Sequence, residues 1–210
     1  MSAEEQQNKP FKIKLHPMLD EKTLNAISDA TLAAIDDQLC KPPALTPDDI
    51  GKDIKGEGIY LGTYEPIDRD GKSLSRIFNV FAAPEDLPGG TRAYVNTVKE
   101  VASLKNFHGH DGTDYDTDKE LYAALKDGTY NGGWIIPTRD ILHGKDSAFK
   151  NTFKMTASSG SGYPQWYWSC TERREDPSNV WGADFSDGDG GWLRKDDFRL
   201  ACRPVRLVPV

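Results

Sequence analysis

The sequence lacks long apolar runs, a set of paired cysteines and an excess of basic residues. No stretch approaches the roughly 18 consecutive apolar residues of a membrane-spanning helix, so no membrane span is expected. The three cysteines form an odd set without a C-x-x-C pair, which predicts neither a disulfide framework nor a zinc site. Lysine and arginine number 26 against 33 aspartates and glutamates, a net charge of −7. Because binding to nucleic acid or to an anionic membrane needs clustered basic residues, we expect neither kind of partner.

The N-terminal region is polar and shows no secretion signal. The first ten residues, M-S-A-E-E-Q-Q-N-K-P, lack the basic start and apolar centre of a signal peptide, and they predict a disordered tail. We therefore expect synthesis in the cytoplasm, with the protein remaining there or leaving by a route such as virion assembly. A narrow apolar stripe predicts a helix from Asp20 to about Leu39, which Pro42 ends. Residues 1–42 would thus form a tail and a helix that could mediate homo-oligomerisation, and the main domain would span residues 56–210.

Short alternating segments of the main domain predict strands joined by turns. Two strands, over residues 58–64 and 76–82, flank an Asp-Gly turn. Three more, over residues 165–172, 180–186 and 200–208, are separated by Gly- and Asp-rich connections and predict an antiparallel meander with the C-terminus paired into the sheet. This C-terminal segment also contains four of the five tryptophans: Trp166, Trp168, Trp181 and Trp192.

Helix signals lie between these two groups of strands. Thr91 is predicted to cap a helix that ends near Leu104. Thr117 and Glu120 fit a capping box, which predicts a second helix that Gly128 ends. The remaining predictions are, in order, a short strand over residues 132–136, a short helix from Thr138 to Leu142 and a surface loop over residues 143–162.

Four short motifs carry a resemblance to a known family. They are G-W-I-I-P-T at 133–138, W-S-C-T-E at 168–172, W-G-A-D-F at 181–185 and R-P-V-R at 203–206. In this order they resemble a bacterial and phage family with a C-type-lectin-like fold, whose usual forms are G-W-R-L-P-T, W-S-S-T-E, W-x-x-x-F and R-P-V-R. The chain departs from these forms at Ile135 and Cys170. The resemblance implies an α+β fold with two helices packed on antiparallel sheets, to which the N-terminal helix would be an addition.

The same resemblance implies a non-enzymatic protein that binds a ligand, and we expect no cofactor or metal. In some members of the family the C-terminal segment, here residues 162–210, is the variable region of a diversity-generating retroelement and forms the exposed binding face. Such members include phage receptor-binding proteins and bacterial surface proteins, so the ligand would be a protein or a glycan on a target surface. The residues expected on this face are Arg173, Arg174, Glu175, Asp176, Asn179, Asp184, Asp187, Asp189, Trp192, Arg194, Asp196, Asp197 and Phe198.

Trp192 and Phe198 are the large apolar residues of this expected face. They stand among Gly, Asp, Arg and Lys, and exposed aromatic residues beside arginines are typical of recognition surfaces. The alternative is that Trp192 packs on the core and the charged residues form an ordinary solvated loop. The sequence alone leaves both interpretations open.

Three other groups of residues could carry chemistry. The acidic segment 111–120 could bind calcium, but its spacing does not fit an EF-hand, and a solvated loop before a capped helix is the alternative. His108 and His110 could form a metal or acid–base site, although no catalytic motif accompanies them. Cys170 and Cys202 raise the alternative of an oxidoreductase related to formylglycine-generating enzymes, as opposed to two buried structural thiols. A structural subunit of a phage tail is a further alternative.

Overall fold

The described part of the chain combines helices with two sheets. The computed structural model describes residues 44–143, 148–153, 166–185 and 188–210. The chain divides into two compact units, Met1–Ala44 and Leu45–Val210, and nearly all the described residues lie in the second unit. The tail and helix predicted for residues 1–42 lie outside the described residues. Within them, two antiparallel sheets and four α-helices confirm the predicted α+β class.

The first sheet places the C-terminal strand next to the opening hairpin. Its strands are β1 (Asp53–Ile54), β2 (Gly58–Tyr64), β3 (Phe78–Ala82) and β7 (Val205–Pro209), in the order β1-β2-β3-β7 with antiparallel neighbours. The strand predicted for residues 58–64 and the pairing of the C-terminus into a sheet are confirmed. Because β1 pairs with β2, this compact unit includes residues upstream of position 56, where the sequence analysis places the start of the main domain.

The second sheet contains the aromatic strands of the C-terminal segment. These are β4 (Trp166–Glu172), β5 (Asn179–Asp184) and β6 (Gly190–Arg194), in the order β4-β5-β6. The predicted meander is wrong in its third strand, because β7 pairs with β3 of the first sheet. The third strand of this sheet is β6, which lies in a segment predicted to be a connection. Its two glycines and the charged Arg194 hide the strand pattern, and the strand forms only through its pairing with β5.

Four α-helices accompany the sheets; one has the ends that the sequence predicts, and the short helix predicted after Thr138 is also present. The helices are α1 (Tyr94–Ser103), α2 (Asp118–Asp127), α3 (Arg139–His143) and α4 (Ala148–Phe153). The Thr117 hydroxyl accepts the Glu120 backbone N–H and the Glu120 carboxylate accepts the Thr117 backbone N–H, which confirms the capping box at the start of α2. Gly128 ends α2 at a φ of 73°, a left-handed conformation that glycine adopts without strain. No described helix has the length and apolar character needed to span a membrane.

The start predicted for α1 is wrong. The helix begins at Tyr94 after Ala93, and no side chain caps it, so Thr91 lies outside the helix. The short strand predicted for residues 132–136 is also reduced, because Trp134 and Ile135 form only isolated bridges.

The loop predicted for residues 143–162 is wrong over α4. Phe149 of this helix is 1% exposed and packs edge-on against Tyr167 of β4, with ring centroids 6.3 Å apart. Phe149 also contacts Phe185, 5.6 Å away, just beyond β5. α4 therefore covers one side of the second sheet.

Two of the three tryptophans of the resemblance motifs lie deep in the core. Trp134 and Trp168 are both fully buried. The indole N–H of Trp134 donates to the Phe107 carbonyl at 2.6 Å, and that of Trp168 donates to the Arg92 carbonyl at 2.8 Å. Each indole thus buries a large apolar surface without leaving its one donor unpaired.

The two arginines of R-P-V-R are also buried and paired. Arg203 donates to Asp86 at 2.7 Å, and the Tyr167 hydroxyl donates to the other oxygen of Asp86 at 2.9 Å. Arg206 donates to the Gly132 carbonyl at 3.0 Å and to the carboxylate of Glu57. Both guanidinium groups therefore hold the fold together rather than face a ligand.

Candidate functional site

A cleft of about 250 Å³ lies where five segments meet, and we call it the Trp192 cleft. It is surrounded by the β2–β3 connection, the first turns of α2 and α3, the end of β4 with the following turn, and β6. Its volume is below the ~300–1,000 Å³ typical of sites for drug-sized molecules, so it suits one small chemical group. Its lining residues are Ile67, Asp68, Arg69, Asp118, Tyr122, Arg139, Asp140, Thr171, Glu172, Arg174, Glu175 and Trp192.

Two tryptophans and an arginine form one wall of the cleft. Trp181 of β5 and Trp192 of β6 are directly paired across the strands, with ring centroids 5.2 Å apart at an interplanar angle of 84°. The guanidinium carbon of Arg139 lies 4.0 Å from the Trp181 ring centroid and 6.0 Å from that of Trp192. Trp181 is 9% exposed whereas Trp192 is half-buried, so the inner indole supports the outer one. Trp192 therefore combines the two roles that the sequence left open: it packs on Trp181 and it also borders the cleft.

The packing of Trp181 depends on a glycine of the neighbouring strand. A Cβ at Gly190 would lie 2.6 Å from the Trp181 ring, whereas a Cβ at Gly191 would meet nothing within 4 Å. Atoms do not approach this closely without a shift, so the position of Trp181 requires glycine at 190.

A network of ionic groups forms the floor of the cleft. Arg69 donates to Asp118 of α2, with its Nε at 3.2 Å, and also lies 3.5 Å from Glu172 at the end of β4. The second oxygen of Glu172 accepts from Lys195 at 2.8 Å. Burial lowers the pKa of Arg69, but the nearby Asp118 and Glu172 outweigh that effect and raise it overall. The two carboxylates are therefore neutralised by two cations within the protein.

Asp140 is the acidic group next to Arg139. The surrounding protein desolvates its carboxyl and raises its pKa above the usual value, although the residue as a whole is exposed. The charge of Arg139 acts in the opposite direction. Asp140 can accept hydrogen bonds from a ligand at the cleft rim.

Three hydroxyl groups lie beside the cleft. The hydroxyl oxygens of Tyr64 and Tyr122 are 3.1 Å apart, and the Thr138 hydroxyl is 3.4 Å from that of Tyr64. Burial raises the pKa of Tyr64 to about 12 and raises that of Tyr122 as well. Both phenols therefore remain protonated at neutral pH and serve packing and hydrogen bonding rather than proton transfer.

The turn between β4 and β5, together with the first residue of β5, contains five of the predicted face residues. Arg174 and Glu175 line the cleft, and Arg174 pairs with Asp70 at 3.0 Å. Arg173 lies 3.5 Å from Glu175. Asp176 and Asn179 instead hold the turn, because Asp176 accepts from Ser178 at 2.7 Å and from the Asn179 amide at 2.6 Å. The hydrogen bonds that the hydroxyl and the backbone N–H of Ser178 donate to Asp176 lower the pKa of that carboxyl.

The remaining predicted face residues are not brought together. Arg194 pairs with Asp197 at 3.2 Å, beside the exposed Asp196. Phe198 is partly buried and packs against the core, so it is not an exposed anchor. Asp184 and Asp189 lie at the opposite end of the β5–β6 pair, where the Asp184 N–H donates to the Asp189 carbonyl. Asp187 lies outside the described residues.

The other candidate groups are placed apart from the cleft or used within the fold. Asp111 accepts the Asn106 N–H at 2.9 Å, whereas Asp118 pairs with Arg69 and Glu120 caps α2, so the acidic segment does not converge on one point. His108 lies 3.3 Å from Glu85, and His110 contacts the Gly56 carbonyl at 2.7 Å. In the described part of the chain, no group of three or more His, Cys, Asp or Glu residues could hold a metal ion.

The two cysteines of the C-terminal segment are structural thiols by their surroundings. Cys170 and Cys202 are each 2% exposed and are not joined by a disulfide. Burial raises the pKa of both thiols, so neither has the exposed thiolate that a redox site needs.

Most of the cleft was not predicted from the sequence. Arg174, Glu175 and Trp192 were predicted, but Arg139, Asp140 and the β2–β3 connection were not. The signal for Arg139 was its position directly after the P-T of the G-W-I-I-P-T motif, where α3 begins. The link to Trp181 arises only when α3 packs on the second sheet.

No family model matches the chain, and no curated protein matches its sequence.

Proposed function

We propose that this chain is a non-enzymatic binding protein with a C-type-lectin-like fold that recognises its ligand with the Trp192 cleft and the adjoining β4–β5 turn. The observation that carries the proposal is the half-buried indole of Trp192, held by Trp181 and surrounded by arginines and carboxylates. Aromatic and arginine side chains on a rigid support are typical of binding hot spots, because little ordering entropy is lost on binding. The ligand is a protein or a glycan on a target surface.

The proposal extends to the origin of the surface. The chain is a variable protein of phage or bacterial origin, and its residues 162–210 are diversified by a retroelement. Burial divides this segment into two kinds of residue, as expected if only its surface varies. Arg174 and Glu175 of the turn are exposed. The buried motif residues are Trp168, Cys170, Arg203 and Arg206.

The DNA around the coding region provides the first test. We expect a near-copy of the segment that encodes residues 163–210, differing mainly where the copy has adenine, close to a reverse-transcriptase gene. The differing codons should include those of Arg174, Glu175 and Trp192 and should exclude that of the buried Trp168. A coding region without such a copy contradicts the retroelement origin and leaves a protein with a constant ligand.

Substitution of Trp192 provides the second test. We expect Trp192→Ala to abolish binding on an array of immobilised glycans and target-surface proteins, and to cost only about 1 kcal/mol of stability, because the side chain is half-buried and mainly loses its contact with Trp181. The matched substitution Trp168→Ala should cost about 3–5 kcal/mol, since Trp168 is fully buried. Thermal denaturation measures both. A loss at Trp192 as large as that at Trp168 would place Trp192 in the core and remove the proposal's main residue.

A further inference from the structure

Arg139 is held in one position from both ends. Its backbone N–H donates to the Thr171 hydroxyl at 2.9 Å, which joins the start of α3 to the end of β4. Its guanidinium lies 4.0 Å over the Trp181 ring. Stacking of a planar guanidinium on an indole covers one of its faces and leaves the N–H groups at its edge pointing outward.

The donors of Arg139 are available to a ligand. Among the described residues, its guanidinium makes no hydrogen bond or ion pair with a protein acceptor, and the side chain is exposed. The other two arginines of the cleft are already paired: Arg69 with Asp118 and Glu172, and Arg174 with Asp70. Arg139 is therefore the cleft cation that can take an external anion without breaking an internal ion pair.

The cleft carboxylates other than Asp140 are engaged within the protein. Asp118 and Glu172 accept from Arg69 and Lys195, and Glu175 lies 3.5 Å from Arg173. Asp68 accepts the backbone N–H groups of Asp70 at 3.0 Å and Lys72 at 2.9 Å. Because these carboxylates already have partners, the cleft repels an anion less than the number of its acidic residues suggests.

We propose that the Trp192 cleft binds the carboxylate of a ligand, with Arg139 as the anchor and Trp192 as the apolar wall for the group that bears the carboxylate. This inference rests on the recognition role proposed above and names the ligand chemistry. The planar fork of a guanidinium matches a carboxylate through two parallel hydrogen bonds. The cleft has room for one acidic sugar or one acidic side chain. A hydroxyl group of the sugar can donate a hydrogen bond to Asp140.

Titration calorimetry with small acids tests the assignment. The probes are N-acetylneuraminic acid and glucuronic acid for a glycan source and the α-amide of N-acetylglutamate for a protein source, each at up to ~10 mM, with glucose and the α-amide of N-acetylglutamine as neutral counterparts. We expect at least one acid to bind at least tenfold more tightly than its neutral counterpart, and the affinity to fall as ionic strength rises. The preferred acid identifies the source of the carboxylate.

Variants of the full chain locate the site. Arg139→Gln should weaken binding of the acid at least tenfold, and Arg139→Lys, which keeps the charge but loses the fork, should weaken it by less. Arg199→Gln is the matched control, because Arg199 is an exposed arginine outside the cleft, and it should leave affinity unchanged. Melting temperatures close to that of the unaltered chain show that each variant is folded.

Three results would overturn the inference. They are no binding by any acid, equal binding of acids and neutral counterparts, and unchanged affinity in Arg139→Gln. The recognition role would survive each of them if Trp192→Ala still abolished binding on the array. If the acids did not bind and Trp192→Ala also left binding on the array unchanged, the recognition role would be contradicted as well.

Discussion

At the scale of single residues, burial separates the groups that hold the fold from those that can meet a ligand. Arg203 and Arg206 resemble surface arginines in the sequence but are buried and paired. Arg139 is not conspicuous in the sequence, yet its charge remains available. Residue type alone cannot make this distinction, because it depends on which carboxylates the fold brings near each guanidinium.

The thiols give a residue-scale prediction. In a Cys40→Ser variant, Cys170 and Cys202 should react with an aromatic disulfide reagent at pH 8 only as fast as the protein unfolds. The reason is that both are buried and burial raises the pKa of both thiols. The same variant in guanidinium chloride should show two equivalents of reactive thiol at once. Rapid labelling of one equivalent in the folded protein would revive the oxidoreductase alternative.

At the scale of elements, local signals predicted more than distant pairings did. The capping box at Thr117 and the stop at Gly128 were predicted because each involves backbone groups within a few residues. β6 was missed because its strand character comes from pairing with β5 rather than from its own composition. The same holds for α4, whose place depends on contacts of Phe149 with strands that follow it in the chain.

The two glycines of β6 give an element-scale prediction. Gly190→Ala should cost about 1–3 kcal/mol, because the new methyl group would lie 2.6 Å from the Trp181 ring and 2.8 Å from the Gly182 carbonyl oxygen. Gly191→Ala is the matched control and should change stability by under about 0.5 kcal/mol, since a Cβ there meets nothing within 4 Å. Chemical denaturation measures both variants. Equal costs at the two positions would show that Trp181 does not pack over Gly190.

At the scale of the whole unit, the split of the C-terminal segment between two sheets could not be predicted. The segments that form β5 and β7 have similar apolar character, and nothing in either shows that one pairs with β4 and the other with β3. The cleft has the same origin, because Ile67, Asp118, Arg139 and Trp192 come from four distant parts of the chain. Its chemistry exists only after these segments have packed.

The ion pair between Arg203 and Asp86 gives a prediction at this scale. It joins the approach to β7 with the segment after β3, and Tyr167 adds β4 of the second sheet. Arg203→Ala should cost about 3–5 kcal/mol at pH 7, because it leaves the carboxylate of Asp86 buried without its counter-charge. Arg199→Ala, at an exposed position, should cost under about 0.5 kcal/mol.

The cost of Arg203→Ala should depend on pH. Burial raises the pKa of Asp86 above its ordinary 3.8, and Arg203 opposes that rise. A raised pKa in the folded state favours folding at low pH, and this contribution is lost as pH rises through the folded pKa. Without Arg203 the pKa rises further, so the difference in melting temperature from the unaltered chain should be larger at pH 7 than at pH 4. A difference that grows on acidification would contradict this assignment.

The position of Arg139 in the chain has a consequence for how binding specificity could evolve. Arg139 belongs to α3, upstream of residues 162–210, whereas Trp192 and Arg174 lie within that segment. If residues 162–210 are diversified, every variant keeps Arg139 as the anchor and differs in the residues around it. The variants would then all bind acidic ligands through the same polar contact, and they would differ in the shape of the ligand group that fits next to the carboxylate.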